Sequence, residues 1–447
     1  MKKYIAAYQS VKEKENILFG SIIDVLTDFH ANGSYESIAK VFALLDTKNY
    51  AYMVRTTDLE KKDYESDVKY ITQDCYNYLS KSQLYGGELL INKIGNPGES
   101  YIMPKLDYPS SLGMNLFMIR IKKDSDYNTK FIWAYLNTNI GRHIINRKIN
   151  GTVPLTIDKE AIRSLYIPVF SKQFMTAIAH IIDKSELILS RSKQVYKNSE
   201  ELIYKALHLD TWEPATETKS IKSYSDCFIN CNRLDAEYYQ PKYDELFALL
   251  GAYDTKTLSE IVNIEKSIEP GSEAYQTDGI PFIRVANLSK FGIADTDVYL
   301  STEEYGDIIR PEKDTILLSK DGSVGIAYKV EKYTNIITSG AILHLTVKDD
   351  SVMPDYLTLV LNSIVVKMQA ERDAGGSVIQ HWKPSEIEKV IIPILDNEVQ
   401  VQITEKVQES FALRKESAQL LELAKTAVEI AIEQGEDKAM ELLTQNM

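Results

Sequence analysis

Leu89-Leu90-Ile91-Asn92-Lys93-Ile94-Gly95-Asn96-Pro97-Gly98 and Ile316-Leu317-Leu318-Ser319-Lys320-Asp321-Gly322-Ser323-Val324-Gly325 are one pattern written twice. Each is a short apolar run, then a small polar residue, a lysine, and a turn bounded by two glycines. The run is that of a buried strand, and the glycines are those of a tight turn. Outward from this stretch, Tyr52-Met53-Val54-Arg55-Thr56-Thr57-Asp58-Leu59 matches Pro281-Phe282-Ile283-Arg284-Val285-Ala286-Asn287-Leu288. Leu116-Phe117-Met118-Ile119 answers Ile342-Leu343-His344-Leu345. Asn150-Gly151-Thr152 answers Gly375-Gly376-Ser377, and Tyr166-Ile167-Pro168 answers Ile391-Ile392-Pro393. Gly151 and Gly376, like Pro168 and Pro393, stand 225 residues apart. A register kept across several motifs is an internal tandem repeat.

Each half changes period after its proline boundary. Phe174, Ile178, Ile181, Ser185, Ile188, Ser192, Val195, Ser199, Leu202 and Ala206 alternate in steps of four and three. Val399, Ile403, Lys406, Ser410, Leu413, Ser417, Leu420, Ala424, Ala427 and Ala431 repeat the rhythm. A period near 3.5 sustained this long predicts a coiled-coil seam between two long helices. Ile182, Leu189, Tyr196 and Ile203, with Val407, Leu421 and Val428, widen the apolar stripe, so the helices are expected to pack on a third body as well. The expected fold class is α+β: two α/β modules separated by two long antiparallel coiled-coil spacer helices, in tandem repeat. The expected boundaries are 1–170 for the first module and 171–208 for its helix. A linker and second module follow over 209–395, then a helix over 396–435 and a tail over 436–447.

Composition narrows the function classes. The polar stretch after Met1-Lys2-Lys3-Tyr4 is unlike the apolar core of a signal peptide, and no apolar run approaches the ~20 residues that span a bilayer. Cys75, Cys227 and Cys231 are too few for a disulfide framework and lack a second ligand pair, so they are expected to be incidental thiols in a reducing cytoplasm. The net charge of −13 argues against a simple nucleic-acid binder, because phosphate neutralisation drives such binding. Much of the acid crowds the second helix and tail, at Glu398, Glu405, Glu409, Glu416, Glu422, Glu429, Glu433, Glu436 and Asp437. It marks either a solvated helix face or a partner surface.

The motifs that would make the chain an enzyme are missing from it. The sequence holds no GxxxxGK[ST] phosphate loop, HExxH helix or Gly-x-Ser-x-Gly elbow. It also lacks the Asn/Asp-Pro-Pro-Tyr/Phe turn of an amino-methyltransferase. No metal is expected, the six histidines having no ligand spacing.

A duplicated unit of module plus long helix, without catalytic motifs, resembles the specificity (S) subunit of type I restriction-modification systems. The resemblance spans essentially the whole chain. It rests on residues 279–288, the 317–325 turn, Ile391-Ile392-Pro393 leading into a helix, and Arg233-Leu234-Asp235-Ala236-Glu237-Tyr238-Tyr239 ahead of the second module. It implies two target-recognition modules, each reading half of a bipartite, asymmetric double-stranded DNA site. It further implies two methyltransferase (M) subunits on the helices, S-adenosylmethionine on those partners, motor/nuclease (R) subunits for restriction, and a cytoplasmic, non-catalytic chain.

Base reading needs donors and acceptors on loops that enter a groove. In the first module the candidates are Arg55, Thr57, Lys61, Asn92, Lys93, Asn96, Asn150 and Thr152. In the second they are Arg284, Asn287, Lys290, Ser319, Lys320, Ser323, Gln380, His381 and Lys383. Arg55 and Arg284 could equally anchor internal ion pairs, and Trp133 and Trp382 are expected in the core. The candidate partner-binding positions are Ile182, Leu189, Tyr196, Ile203, Val407, Leu421 and Val428. The alternative is a non-catalytic protein-interaction scaffold, two ligand modules on a coiled-coil hairpin. A fused restriction-methylation enzyme and an acidic DNA mimic are further rivals.

Overall fold

The computed structural model describes residues 9, 11–62, 64, 68–229, 233–375 and 380–446. Met1-Lys2-Lys3-Tyr4, Cys231, Gly376 and Ser377 lie outside the described residues. The chain divides into two compact units, one of residues 1–188 with 415–447 and one of residues 189–414.

In the first unit, strands Ile23–Asp28, Leu116–Ile121, Leu89–Asn92 and Ser100–Ile102 form an antiparallel sheet in that order, with Leu90 opposite both Met118 and Tyr101. A second sheet runs Tyr70–Ile71, Ala51–Val54, Ser110–Leu112, Gln83–Leu84, and its two central strands are parallel. Leu89 and Ile91 face helices Thr129–Leu136 and Asn139–Asn146 in one core, while Leu90 joins Val54 and Leu112 in another. This alternation is the period-2 register of a sheet covered on both faces. Asn128 and Thr138 cap the two helices, accepting from the Phe131 and Gly141 N–H groups at 2.8 and 2.9 Å. Gly141 is needed there, since a Cβ would lie 2.1 Å from the Tyr135 carbonyl oxygen.

The second unit repeats the plan. Strands Val262–Lys266, Ile342–Val347, Ile316–Ser319 and Ala327–Lys329 form the antiparallel sheet, and Ile280–Ile283 runs parallel to Ile337–Thr338. Helices Pro354–Leu361 and Ile364–Asp373 cover it. Each unit also pairs a strand near its start with its Ile-Pro strand: Asn16–Leu18 with Tyr166–Pro168, and Thr255–Thr257 with Ile391–Pro393. Trp382 is buried as expected, and Trp133 is half-buried with its indole N–H on the Ser100 carbonyl. The Arg233 motif is an internal clasp, its guanidinium held by Asp235 and the Asp373 carbonyl and stacked on Tyr238.

The long helices are Lys172–Ala206 and Asn397–Gln434. In the first unit they run antiparallel: Ser171 bonds Glu436 while Ser185 bonds Ser417. The Ser185 and Ser417 hydroxyls each reach the other's carbonyl at 2.9 Å. In the second unit Ser192 and Ser410 do the same at 2.8 and 2.9 Å. Serine at these seam positions is small enough to let backbones approach, and the reciprocal bonds satisfy both hydroxyls.

Each helix is divided between the units and packs on both cores, as the widened stripe predicts. One expectation about the helices is corrected. The widened stripe is covered by the chain's own modules: Ile182 and Val428 are buried in the first unit's core, and Tyr196, Ile203 and Val407 in the second's. They are therefore not an open surface for a methyltransferase; only Leu189 and Leu421 stay half-buried. The tail is itself a helix, Glu436–Asn446, with Ala439 and Leu443 buried in the first unit. Among the described residues no helix is long and apolar enough to cross a membrane.

Candidate nucleic-acid interface

The repeated turns close with the same bonds. In the first unit the Gly98 N–H donates to the Asn92 carbonyl at 2.8 Å, and in the second the Gly325 N–H donates to Ser319 at 2.9 Å. Gly98 has φ +92°, and a Cβ on it would meet Ile145 at 2.3 Å, so only glycine lets the turn seat against the helix.

A loop lies beside each turn and is tied to it by backbone. Asn150 and Thr156 exchange two N–H···O bonds at 2.9 and 2.8 Å, as Gly375 and His381 do at 3.1 and 2.7 Å. The Gly95 N–H reaches the Leu155 carbonyl at 3.3 Å, and the Gly322 N–H reaches that of Gln380 at 2.9 Å. Lys93 and Lys320 then accept from Ile157 and Trp382 at 3.1 and 2.8 Å. A third segment joins from the parallel sheet. Gly113 donates to Val54 while the Asn115 carbonyl accepts from Lys93, and Ser339 donates to Ile283 while the Ala341 carbonyl accepts from Lys320. Each unit thus gathers a turn, a loop and the segment that follows its parallel strand into one backbone-bonded cluster.

The candidates divide sharply. Thr57, Lys61, Asn96, Asn150 and Thr152 are exposed in the first unit, and Ser323, Gln380, His381 and Lys383 in the second. Asn96, Asn150 and Thr152 come together on the first cluster. Ser323, Gln380 and His381 come together on the second, with Lys383 two residues beyond. Arg55, Thr57 and Lys61 sit apart, at the end of strand Ala51–Val54 and on helix Thr56–Lys61.

The remaining candidates are built into the fold. Lys93 is 9% exposed and bonds Asp28 at 3.0 Å, which Lys159 also holds at 2.9 Å. Burial alone would raise the Asp28 carboxyl; the hydrogen bonds from Lys159 and Lys93 outweigh it and keep the group below its ordinary range. Lys320 pairs with Asp321, whose other oxygen bonds His381 Nδ1 at 2.8 Å. Asn92 is buried, and the Ser319 hydroxyl closes its own turn on the Ser323 carbonyl at 2.6 Å. Arg55 holds the buried Asp58 at 2.7 Å, the internal ion pair considered above. Asn287 caps the Arg284 N–H at 3.1 Å, and Arg284 is 3.6 Å from the exposed Asp297. Lys290 pairs with Glu200 on the long helix at 3.3 Å and lies over the Tyr196 ring, so its hairpin docks on that helix.

The lysines expected at the phosphates are thus spent on internal carboxylates. Sequence reasoning identified them because a lysine in a Gly-rich turn is also the sign of a phosphate contact. Of the partner carboxylates, Asp28 lies outside the matched motifs, while Asp58 stands opposite Asn287 and Asp321 opposite Ile94 within them. Missed entirely were Met114, Val153 and Leu155, exposed apolar residues on the first cluster. No sequence signal separates an exposed valine from a buried one inside a short loop.

Residues 252–423 match the family model described as the type I restriction modification DNA specificity domain. Among solved structures, the chain is similar to the type I restriction-modification S subunit from M. genitalium. Identity is 15% over 96% of this chain and 95% of that one, with a TM-score of 0.38. It is also similar to the HsdS subunit from Thermoanaerobacter tengcongensis, at 11% identity over 94% and 97%, with a TM-score of 0.30. A chain from a study of complex assembly and conformational transition in the type I R-M system matches at 11% identity over 94% and 98%, TM-score 0.30. No curated protein matches the chain.

Proposed function

We propose that the chain, whose residues 252–423 match the family model of the type I restriction modification DNA specificity domain, is a specificity subunit and that each of its units reads one half of a split DNA target. The carrying observation is that both units build the same turn-and-loop cluster from equivalent backbone bonds, yet present different side chains on it. Asn96, Asn150 and Thr152 stand on one, and Ser323, Gln380 and His381 on the other. Amide and imidazole groups are suited to base edges, where side chains rather than backbone carry sequence information. Because the sets differ, the target is asymmetric.

On this reading the chain holds no catalytic centre. Two methyltransferase subunits supply S-adenosylmethionine and the methyl transfer to adenine, and motor/nuclease subunits join for restriction, all in the cytoplasm. With Lys93, Lys320 and Arg55 engaged internally and a net charge of −13, most phosphate contacts fall to the partners. Of the seven stripe positions expected from sequence, Ile182, Tyr196, Ile203, Val407 and Val428 are covered, which leaves Leu189 and Leu421 and the outer helix faces for methyltransferase docking.

The test is co-expression with a methyltransferase subunit from the same genome, followed by methylation-aware sequencing. Methyladenine at one split, non-palindromic motif, dependent on this chain, is the expected result. Exchanging the 319–325 turn then changes one half of the motif and leaves the other. The same internal ion pairs also favour a second reading, a protein-interaction scaffold. A stable complex that shows no salt-sensitive DNA shift and no new methylation would establish that reading instead.

A further inference from the structure

Residues 127–157 contain no aspartate or glutamate, in a chain of net charge −13, and carry Lys130, Arg142, Arg147 and Lys148. Lys130 is tied to Asp183 and Glu186, and Arg142 lies 3.1 Å from Glu99. Lys148 stands two residues ahead of the 150–156 loop. A polyanion can approach this loop without meeting a carboxylate from the segment that carries it.

The loop is built, not slack. Its base is closed by the two Asn150–Thr156 bonds, and its flank is tied to Gly95. Gly151, at φ +97°, turns the chain so tightly that a Cβ would lie 2.7 Å from the Pro154 carbonyl oxygen. At the tip Val153 is 92% exposed, with Leu155 43% exposed beside it. Met114 is exposed on the neighbouring segment, whose Asn115 carbonyl accepts from Lys93. A β-branched side chain held out on a fixed backbone has little rotamer freedom to lose on contact.

We infer that Val153 is a specificity residue of the first unit, making apolar contact with the 5-methyl group of a thymine in the first half of the DNA target. The thymine methyl is the one apolar group that base edges offer in the major groove. A basic lead-in beside an apolar tip matches that groove and its phosphates. The inference rests on the proposed DNA-reading function and assigns one base contact within it.

The test uses the complex of this chain with its methyltransferase and duplexes carrying the motif found by sequencing. Each thymine of the first half is replaced in turn by uracil, which removes only the methyl group. One such replacement should slow methylation about fourfold, the worth of one buried methyl group. Val153→Ser and Val153→Asn, which place no methyl group there, should abolish that sensitivity while melting at the wild-type temperature, since the side chain is exposed. A first half lacking thymine, or uracil sensitivity that is absent or unchanged in both variants, overturns the inference while the specificity function stands. Loss of complex formation in the variants also overturns it, because Val153 would then be a protein contact. A wild-type complex that methylates no split motif removes the DNA-reading function itself, and the inference with it.

Discussion

The Arg414 guanidinium lies over the ring of Phe291, its central carbon 3.5 Å from the ring centroid. Phe291 caps the short hairpin of strands Leu288–Ser289 and Gly292–Ile293, and it also packs edge-on against Tyr196. The hairpin is thereby fastened to both long helices of the second unit. Arg414 holds its Nε and Nη2 buried without a hydrogen-bond partner, and burial draws its pKa down to about 10.

Phe291→Ala should therefore cost the second unit about 2 kcal/mol, combining lost apolar burial with the lost cation–π contact. Arg414→Met keeps the stacking volume and removes a poorly satisfied buried charge, so it should change stability by less than about 1 kcal/mol. Urea unfolding of the two variants checks the order; equal losses would mean that the charge is the stabilising part.

The reciprocal serines give a double-mutant cycle. Ser185→Ala leaves the Ser417 hydroxyl without one of its partners, and should destabilise by about 1 kcal/mol, as should Ser417→Ala. The double variant removes both polar groups from the seam and should cost less than the sum of the two. Additive losses in thermal melting would show that the hydroxyls act independently.

Lys93 and Lys383 occupy opposite ends of the structural-to-functional range. Lys93→Met strands Asp28 with Lys159 alone in a half-buried site, and is expected to lower stability by about 2 kcal/mol. Lys383 is 73% exposed, close to Glu386 at 3.4 Å. Lys383→Ala should leave the melting temperature unchanged, and should weaken DNA binding by the complex across all sequences, with a salt slope about one unit smaller. Gel shifts over a salt series, paired with melting curves, separate the two effects.

His344 is buried in the second unit's sheet, with Nε2 bonded to Thr338 at 2.8 Å and burial pulling its pKa down to about 4. The unfolded chain, with an ordinary histidine near 6.5, binds the proton more readily. The neutral ring's contribution is thus complete above about pH 6.5 and fades as pH falls toward 4, a loss of about 2 kcal/mol by pH 4.5. Urea midpoints at pH 7 and 4.5 should draw closer together in His344→Phe. An unaltered pH dependence would place the acid sensitivity elsewhere.

The paired motifs around Leu89–Ile91 and Ile316–Leu318 disclosed the duplication, the strands, the glycine turns and the two long helices from sequence alone. Periodicity and glycine placement are local properties, so they survive without a partner strand in view. The helix ends came within two residues of 171–208 and 396–435, because proline boundaries and the end of the apolar period mark them.

What the tertiary structure alone decided was which side chains remain free. A lysine's neighbours are chosen by the sheet, not by the chain: Asp28 reaches Lys93 across 65 residues, and Glu200 reaches Lys290 across 90. The apolar stripe through Ile182, Tyr196 and Val428 was plain in the sequence, but only packing showed that the modules of the same chain cover it. Val153 was unremarked for the same reason. Exposure is a property of everything around a residue, and no spacing along the chain encodes it.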